Sequence, residues 1–137
     1  MKPSTLRIAG FGFRSEATLE SLVQAIDQLI DQYGSVDKYG LINRLAAARS
    51  MLPLVEKLGR LRDIEVIAVA DTELSTVTTL THSTHSLQAR GTGSVAEAVA
   101  LLAAGPNARL AGPRIISADC KATAALALLE VPEGATE

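Results

Sequence analysis

The run Ile64-Glu65-Val66-Ile67-Ala68-Val69-Ala70 constrains this chain more than any other stretch. It is rich in β-branched residues, almost uniformly apolar and of strand length, the pattern expected of a parallel strand covered on both faces. Parallel strands need crossover connections, so helices should flank it. Leu41 to Ala47 fits that alternation as a second strand, although Ala and Leu also favour helix. Between the two, Pro53 is tolerated only in a helix's first turn. A helix from Ser50 or Met51 to Leu58-Gly59 is therefore predicted, with Arg60 to Asp63 turning the chain.

The N-terminal part repeats the theme. Leu6-Arg7-Ile8-Ala9 reads as a short strand, Gly10-Phe11-Gly12-Phe13-Arg14 as a glycine turn, and Ser15 as a helix cap with Glu16 in the first turn. Leu19, Leu22, Val23, Ile26, Leu29, Ile30 and Tyr33 then recur at three- and four-residue spacing, which defines one apolar helix face. Gly34 to Gly40 ends that helix.

From Asp71 to Gln88 serine and threonine dominate. Hydroxyls at this density satisfy their own backbone in turns or line a polar ligand surface, and the residues alone leave both open. Gly91-Thr92-Gly93-Ser94-Val95-Ala96-Glu97 follows, a glycine loop running into a capping box. The Ser94 hydroxyl is expected to accept from the Glu97 amide and the Glu97 carboxylate from the Ser94 amide. The helix from Val95 to Ala104 stops at Gly105-Pro106. Its N-terminus, with unpaired amides and the positive end of the dipole, either holds an anion or simply starts a helix. Arg109-Leu110 and Arg114 to Ser117 look extended, interrupted by Gly112-Pro113. Ala122 to Leu129 reads as helix by propensity or buried strand by position. Val131 to Glu137 is expected to be a flexible tail.

Composition narrows the function classes. At 137 residues and 47% hydrophobic content the chain fits one domain, 1–137. Thirteen basic against 15 acidic residues, with two Phe, two Tyr and no Trp, offer neither a basic field nor a stacking platform for nucleic acid. A single cysteine, Cys120, excludes an internal disulfide and suits a reducing compartment. No apolar run reaches bilayer length and Met1 to Thr5 carries no signal-peptide core, so a cytoplasmic protein without membrane contact is expected.

Several motifs fall short of a known chemistry. Gly10-x-Gly12-x-x-Ser15 lacks the third glycine of a dinucleotide fingerprint, and no ribose-binding carboxylate follows, so a nicotinamide cofactor is not expected. His82 and His85 are three apart but no further ligands accompany them, so no metal is assigned. Cys120 has no basic partner that would make it a reactive thiolate. Neither a Ser-His-Asp order nor a carboxylate pair marks a hydrolase. Arg14 beside a helix start could pair with a carboxylate or phosphate, or be the surface arginine of a tight turn.

Gly10-Phe11-Gly12-Phe13-Arg14, Thr92-Gly93-Ser94-Val95-Ala96-Glu97-Ala98-Val99-Ala100-Leu101, and Pro113-Arg114 with Ala122-Thr123-Ala124 occur in this order along the chain. Taken together they resemble the CobE/CbiG C-terminal domain family of cobalamin biosynthesis, over nearly the whole chain to about Leu129. The resemblance implies a three-layer α/β/α domain with a mixed, roughly five-stranded sheet, in which Ala122 to Leu129 is a strand running back along Arg114 to Ser117. Longer members of the family open the ring-A lactone of a cobalt-precorrin and release acetaldehyde with the help of an N-terminal domain. The present chain looks like the stand-alone form, and what the resemblance implies for it is binding of a precorrin or corrinoid intermediate as a carrier or auxiliary factor. An enzyme acting on a precorrin, and an assembly module for other cobalamin-pathway enzymes, are the alternatives.

Precorrins are polycarboxylates, which helix N-termini at Ser15 and Ser94, the Arg14 guanidinium and a hydroxyl-rich loop would suit. The expected ligand site comprises Gly10, Gly12, Phe13, Arg14, Ser83, Thr92, Gly93, Ser94 and Thr123, with no catalytic residue, metal or resident cofactor assigned. Ser94 and Glu97 serve as the structural cap, which commits the Glu97 carboxylate and opposes acid chemistry. Where family members often carry Thr and Lys after the second strand, this chain has Ala46-Ala47-Ala48-Arg49-Ser50, with Arg49 presenting a planar fork in place of a point charge.

Overall fold

The computed structural model describes residues 4–34, 42–77, 79 and 94–131. In chain order these form β1 (Ser4–Phe13), α1 (Leu19–Leu29) continued by a π-helical turn (Ile30–Gly34), β2 (Arg44–Ala48), a 3-10 turn (Arg49–Met51) leading into α2 (Leu52–Arg62), and β3 (Glu65–Val69). A second 3-10 turn (Asp71–Thr76), α3 (Val95–Ala104), β4 (Arg109–Leu110), β5 (Ile115–Ile116) and β6 (Ala122–Val131) complete them. The strands make one mixed sheet of six in the order β3-β2-β1-β6-β4, with β5 also paired to β6. β1, β2 and β3 are mutually parallel, and β6 runs antiparallel to β1, β4 and β5.

Alternation along β1 sorts the layers. Ala9 and Phe11 join Leu22, Ile26, Leu29, Val55 and Leu58 in a core beneath α1 and α2. Ile8 points the other way, into a second core with Val95, Val99 and Ala104 of α3. Helices therefore cover both faces, the three-layer arrangement expected.

Gly10 and Gly12 are not in a turn. Both lie inside β1, paired with Ala125 and Thr123 of β6. A Cβ on Gly10 would stand 2.3 Å from the Ala96 carbonyl oxygen and 2.6 Å from the Ala100 nitrogen. The glycines let the alanine-rich α3 lie directly on the strand backbone, which the Gly-x-Gly spacing alone could not distinguish from a turn.

Helix boundaries shift for equally local reasons. α1 is capped by Thr18 rather than Ser15: Thr18 Oγ1 accepts the Ser21 amide at 3.4 Å and Ser21 Oγ accepts the Thr18 amide at 3.1 Å. Serine at the third helical position closes a capping box in which Glu or Gln is the usual partner, while Ser15 lies exposed in the preceding turn. α2 runs through Gly59, where a Cβ would meet the Ile64 carbonyl oxygen at 2.7 Å, and ends at Asp63 in the left-handed region, φ 57°. Arg60 to Arg62 are thus helical, not a turn.

β3 is an edge in this sheet order, not a strand buried on both sides: Glu65 and Ala68 are exposed and only Val69 is buried. Its β-branched run reflects a fit to pleated backbone more than two-sided burial. Ala122 onward is a strand, as the family resemblance implied, and it includes Val131, where a tail was expected to start; residues 132–137 lie outside the described residues. Gly105 ends α3 at φ 108°.

Candidate functional site

The carboxyl ends of β1, β2 and β3, the start of β6 and the start of α3 converge at one end of the sheet. Open α/β sheets place ligands at such ends. The β1–β6 pairing forms the floor. Thr123 Oγ1 donates to the Gly12 carbonyl at 3.1 Å, and the Arg14 amide donates to the Lys121 carbonyl at 3.0 Å. A Cβ on Gly12 would stand 3.0 Å from Val95 Cβ and 3.2 Å from both the Ala96 nitrogen and Thr123 Oγ1, so the position is closely packed. Gly12, Thr123 and the first turn of α3 thus meet, and Phe13 packs half-buried between the two cores. Gly10 sits one step deeper, fully covered by α3.

Ser94 caps α3 through a bond from the Glu97 amide at 3.3 Å. The reverse arm of the expected capping box is replaced: the Glu97 carboxylate, 0% exposed, accepts the Arg114 amide at 2.9 Å. A bond 17 residues along the chain is invisible to a local motif. Ser83, Thr92, Gly93, His82 and His85 lie outside the described residues.

Arg14 and Arg49 extend, exposed, from the ends of the neighbouring strands β1 and β2. Neither makes an ion pair among the described residues, whereas Arg62 pairs with Asp27 at 2.7 Å and Arg44 with Glu65 at 3.1 Å. An exposed guanidinium has the charge and the planar fork to meet a carboxylate or phosphate.

Two carboxylates at this end are tied to serines, and neither was singled out in the sequence. Asp71, just past β3, accepts from the Ser50 amide at 3.1 Å and from its hydroxyl, which fixes the turn into α2. Asp119, in the β5–β6 connection, accepts from Ser117 Oγ at 2.5 Å, from Ser21 Oγ at 2.6 Å and from the Lys121 amide at 3.1 Å. These bonds, Ser117 foremost and Ser21 next, hold the Asp119 carboxyl below its ordinary range against a smaller opposing effect of burial. The Ser117-x-Asp119 spacing was the available signal, since such residues habitually bond nearby backbone in turns. Beyond α1, the Tyr33 hydroxyl donates to the Pro113 carbonyl at 2.9 Å, and burial, assisted by the Glu97 charge, pushes the phenol above its usual range.

Among the described residues no group of three or more His, Cys, Asp or Glu side chains could hold a metal, and no helix is long and apolar enough to cross a membrane.

Three comparisons with known proteins bear on this arrangement. A family profile described as cobalamin synthesis G C-terminus matches residues 7–127. Among curated proteins none matches. The crystal structure of CobE, a protein from the cobalamin (vitamin B12) biosynthetic pathway, is 27% identical, covers 97% of this chain and 96% of its own, and superposes with a TM-score of 0.81. That of cobalamin biosynthesis protein chiG from Agrobacterium tumefaciens str. C58 is 23% identical, covers 89% of this chain and 97% of its own, and has a TM-score of 0.66, a likeness of fold.

Proposed function

Since the chain belongs to the cobalamin synthesis G C-terminus family, we propose that it serves cobalamin biosynthesis by binding a precorrin or corrinoid intermediate, as a carrier or auxiliary factor. The observation that carries this reading is the pair Arg14 and Arg49, exposed at the ends of adjacent parallel strands beside the start of α3 and without ion pairs among the described residues. Adjacent strands lie about 4.8 Å apart, so the two side chains can grip one carboxylate together or two neighbouring ones. A corrin carries its carboxylates around the rim, and arginine matches each with two parallel bonds. The whole chain acts in this reading as one domain in the cytoplasm, with other pathway enzymes as further partners.

Binding is favoured over turnover because three carboxylates near this end are committed to hydrogen bonds. Glu97 is buried on the Arg114 amide, Asp71 is bonded to Ser50, and Asp119 is held ionised by two serines, which makes it a poor acid. Titration with hydrogenobyrinic acid, followed by its visible spectrum, is the test. Wild type is expected to shift the spectrum, and Arg14→Ala with Arg49→Ala to bind at least about tenfold more weakly, the scale of a lost charged hydrogen bond. No spectral change, or undiminished binding by the variants, removes the proposal; a new product by mass spectrometry would replace the carrier with an enzyme.

A further inference from the structure

Between β4 and β5 the chain leaves the edge of β6, so Gly112, Pro113 and Arg114 fall outside both ladders. Connections at a sheet edge are ordinarily loose, but this one is gripped from both faces. Tyr33, beyond α1, donates to the Pro113 carbonyl at 2.9 Å. From the α3 side, the Glu97 carboxylate accepts the Arg114 amide at 2.9 Å. The two bonds hold opposite sides of a single peptide group. Gly112 admits the tyrosine, because a Cβ there would stand 2.4 Å from its oxygen.

A carboxylate that is 0% exposed carries a desolvation cost that a neutral acceptor in the same place would largely avoid. The clamp it helps to form fixes the backbone of Arg114, whose side chain makes no ion pair among the described residues. Glu97 also ties that arginine to α3 three residues from Ser94, about 4.5 Å along a helix axis. We propose that Arg114 supplies a third cationic contact to the carboxylate-bearing ligand, with Glu97 and Tyr33 acting as positioning residues that hold its backbone. This rests on the corrinoid reading above. A guanidinium on a fixed backbone loses less freedom on binding and keeps its two-pronged geometry.

The test compares wild type, Arg114→Ala, Arg114→Lys, Tyr33→Phe and the Tyr33→Phe/Arg114→Ala pair, each titrated with hydrogenobyrinic acid and melted without ligand. Arg114→Ala is expected to weaken binding about tenfold with an unchanged melting temperature, and Arg114→Lys to recover part of the loss. Tyr33→Phe is expected to weaken binding less, and to add nothing once Arg114 is alanine, because its effect passes through that side chain. Wild-type binding by Arg114→Ala, or a Tyr33→Phe penalty equal in both backgrounds, overturns the inference and leaves the corrinoid reading standing. Failure of wild type itself to bind overturns the corrinoid reading and the inference with it.

Discussion

At Gly10 the missing β-carbon is itself a packing element, because backbone atoms of α3 occupy the space a side chain would need. Backbone cannot move aside as a flexible side chain can. Gly10→Ala should therefore destabilise the fold by about 1–3 kcal/mol or more, the range of overpacked cores. Gly12→Ala, whose nearest contact is 3.0 Å, should cost less. Urea unfolding of the two variants checks the order, and equal stability would refute the close approach of helix to strand. Asp119 makes a second prediction at this scale. Its carboxyl is held below the ordinary aspartate value by Ser117 and Ser21, so the stabilisation it contributes is present above about pH 4 and is lost as pH falls through the lowered value. Asp119→Asn should flatten the acid limb of the stability profile while lowering stability at neutral pH. An unchanged acid limb would mean the serine bonds contribute nothing. The sequence showed each of these residues but not its use, since glycine serves turns and strands alike and Asp119 finds Ser21 98 residues away.

Among the elements, the helix starts carry the most sequence information and the clearest error. Ser94 was legible as a cap because a serine hydroxyl three residues before an amide is a local geometry. Ser15 has the same chemistry but lies too early. The choice fell to Thr18 because Ser21, fully buried and bonded to Asp119, anchors the box from the far end of the chain. Thr18→Ala is expected to lower stability by about 1 kcal/mol, and Ser15→Ala by a few tenths at most. Denaturant midpoints that put the larger loss at Ser15 would contradict the assigned boundary. α3 illustrates a different limit. Its ends were set by Ser94 and Gly105, yet its partner strand was set by two glycines more than eighty residues upstream.

Across the whole molecule, β1 and β6 are the ten-residue strands at the heart of the sheet, paired along their full length. β3 lies at one edge, and β4 and β5 are two-residue strands at the other. Opening free energies follow such differences in burial and pairing. Amide hydrogen exchange should be slowest in β1 and β6 near Ala9 and Leu126, and faster by orders of magnitude in β3 and β5. Faster exchange in β1 than in β3 would place the stable unit elsewhere. The family's mixed sheet is recognisable from the residues it shares, while the edge position of β3 emerges only from the assembled sheet.

By itself the sequence determined the local periodicities: the apolar face of α1, the extent of α3 between its cap and its glycine, and the strand character of residues 64–70. These follow from short-range sterics and hydrogen bonding, which a chain expresses wherever it is placed. Tertiary structure alone decided that Gly10 and Gly12 are strand residues beneath a helix, that β3 is an edge, and that Glu97 reaches Arg114 instead of its own cap. Each of these depends on which distant backbone lies within about 3 Å, a matter of strand order and layer contact.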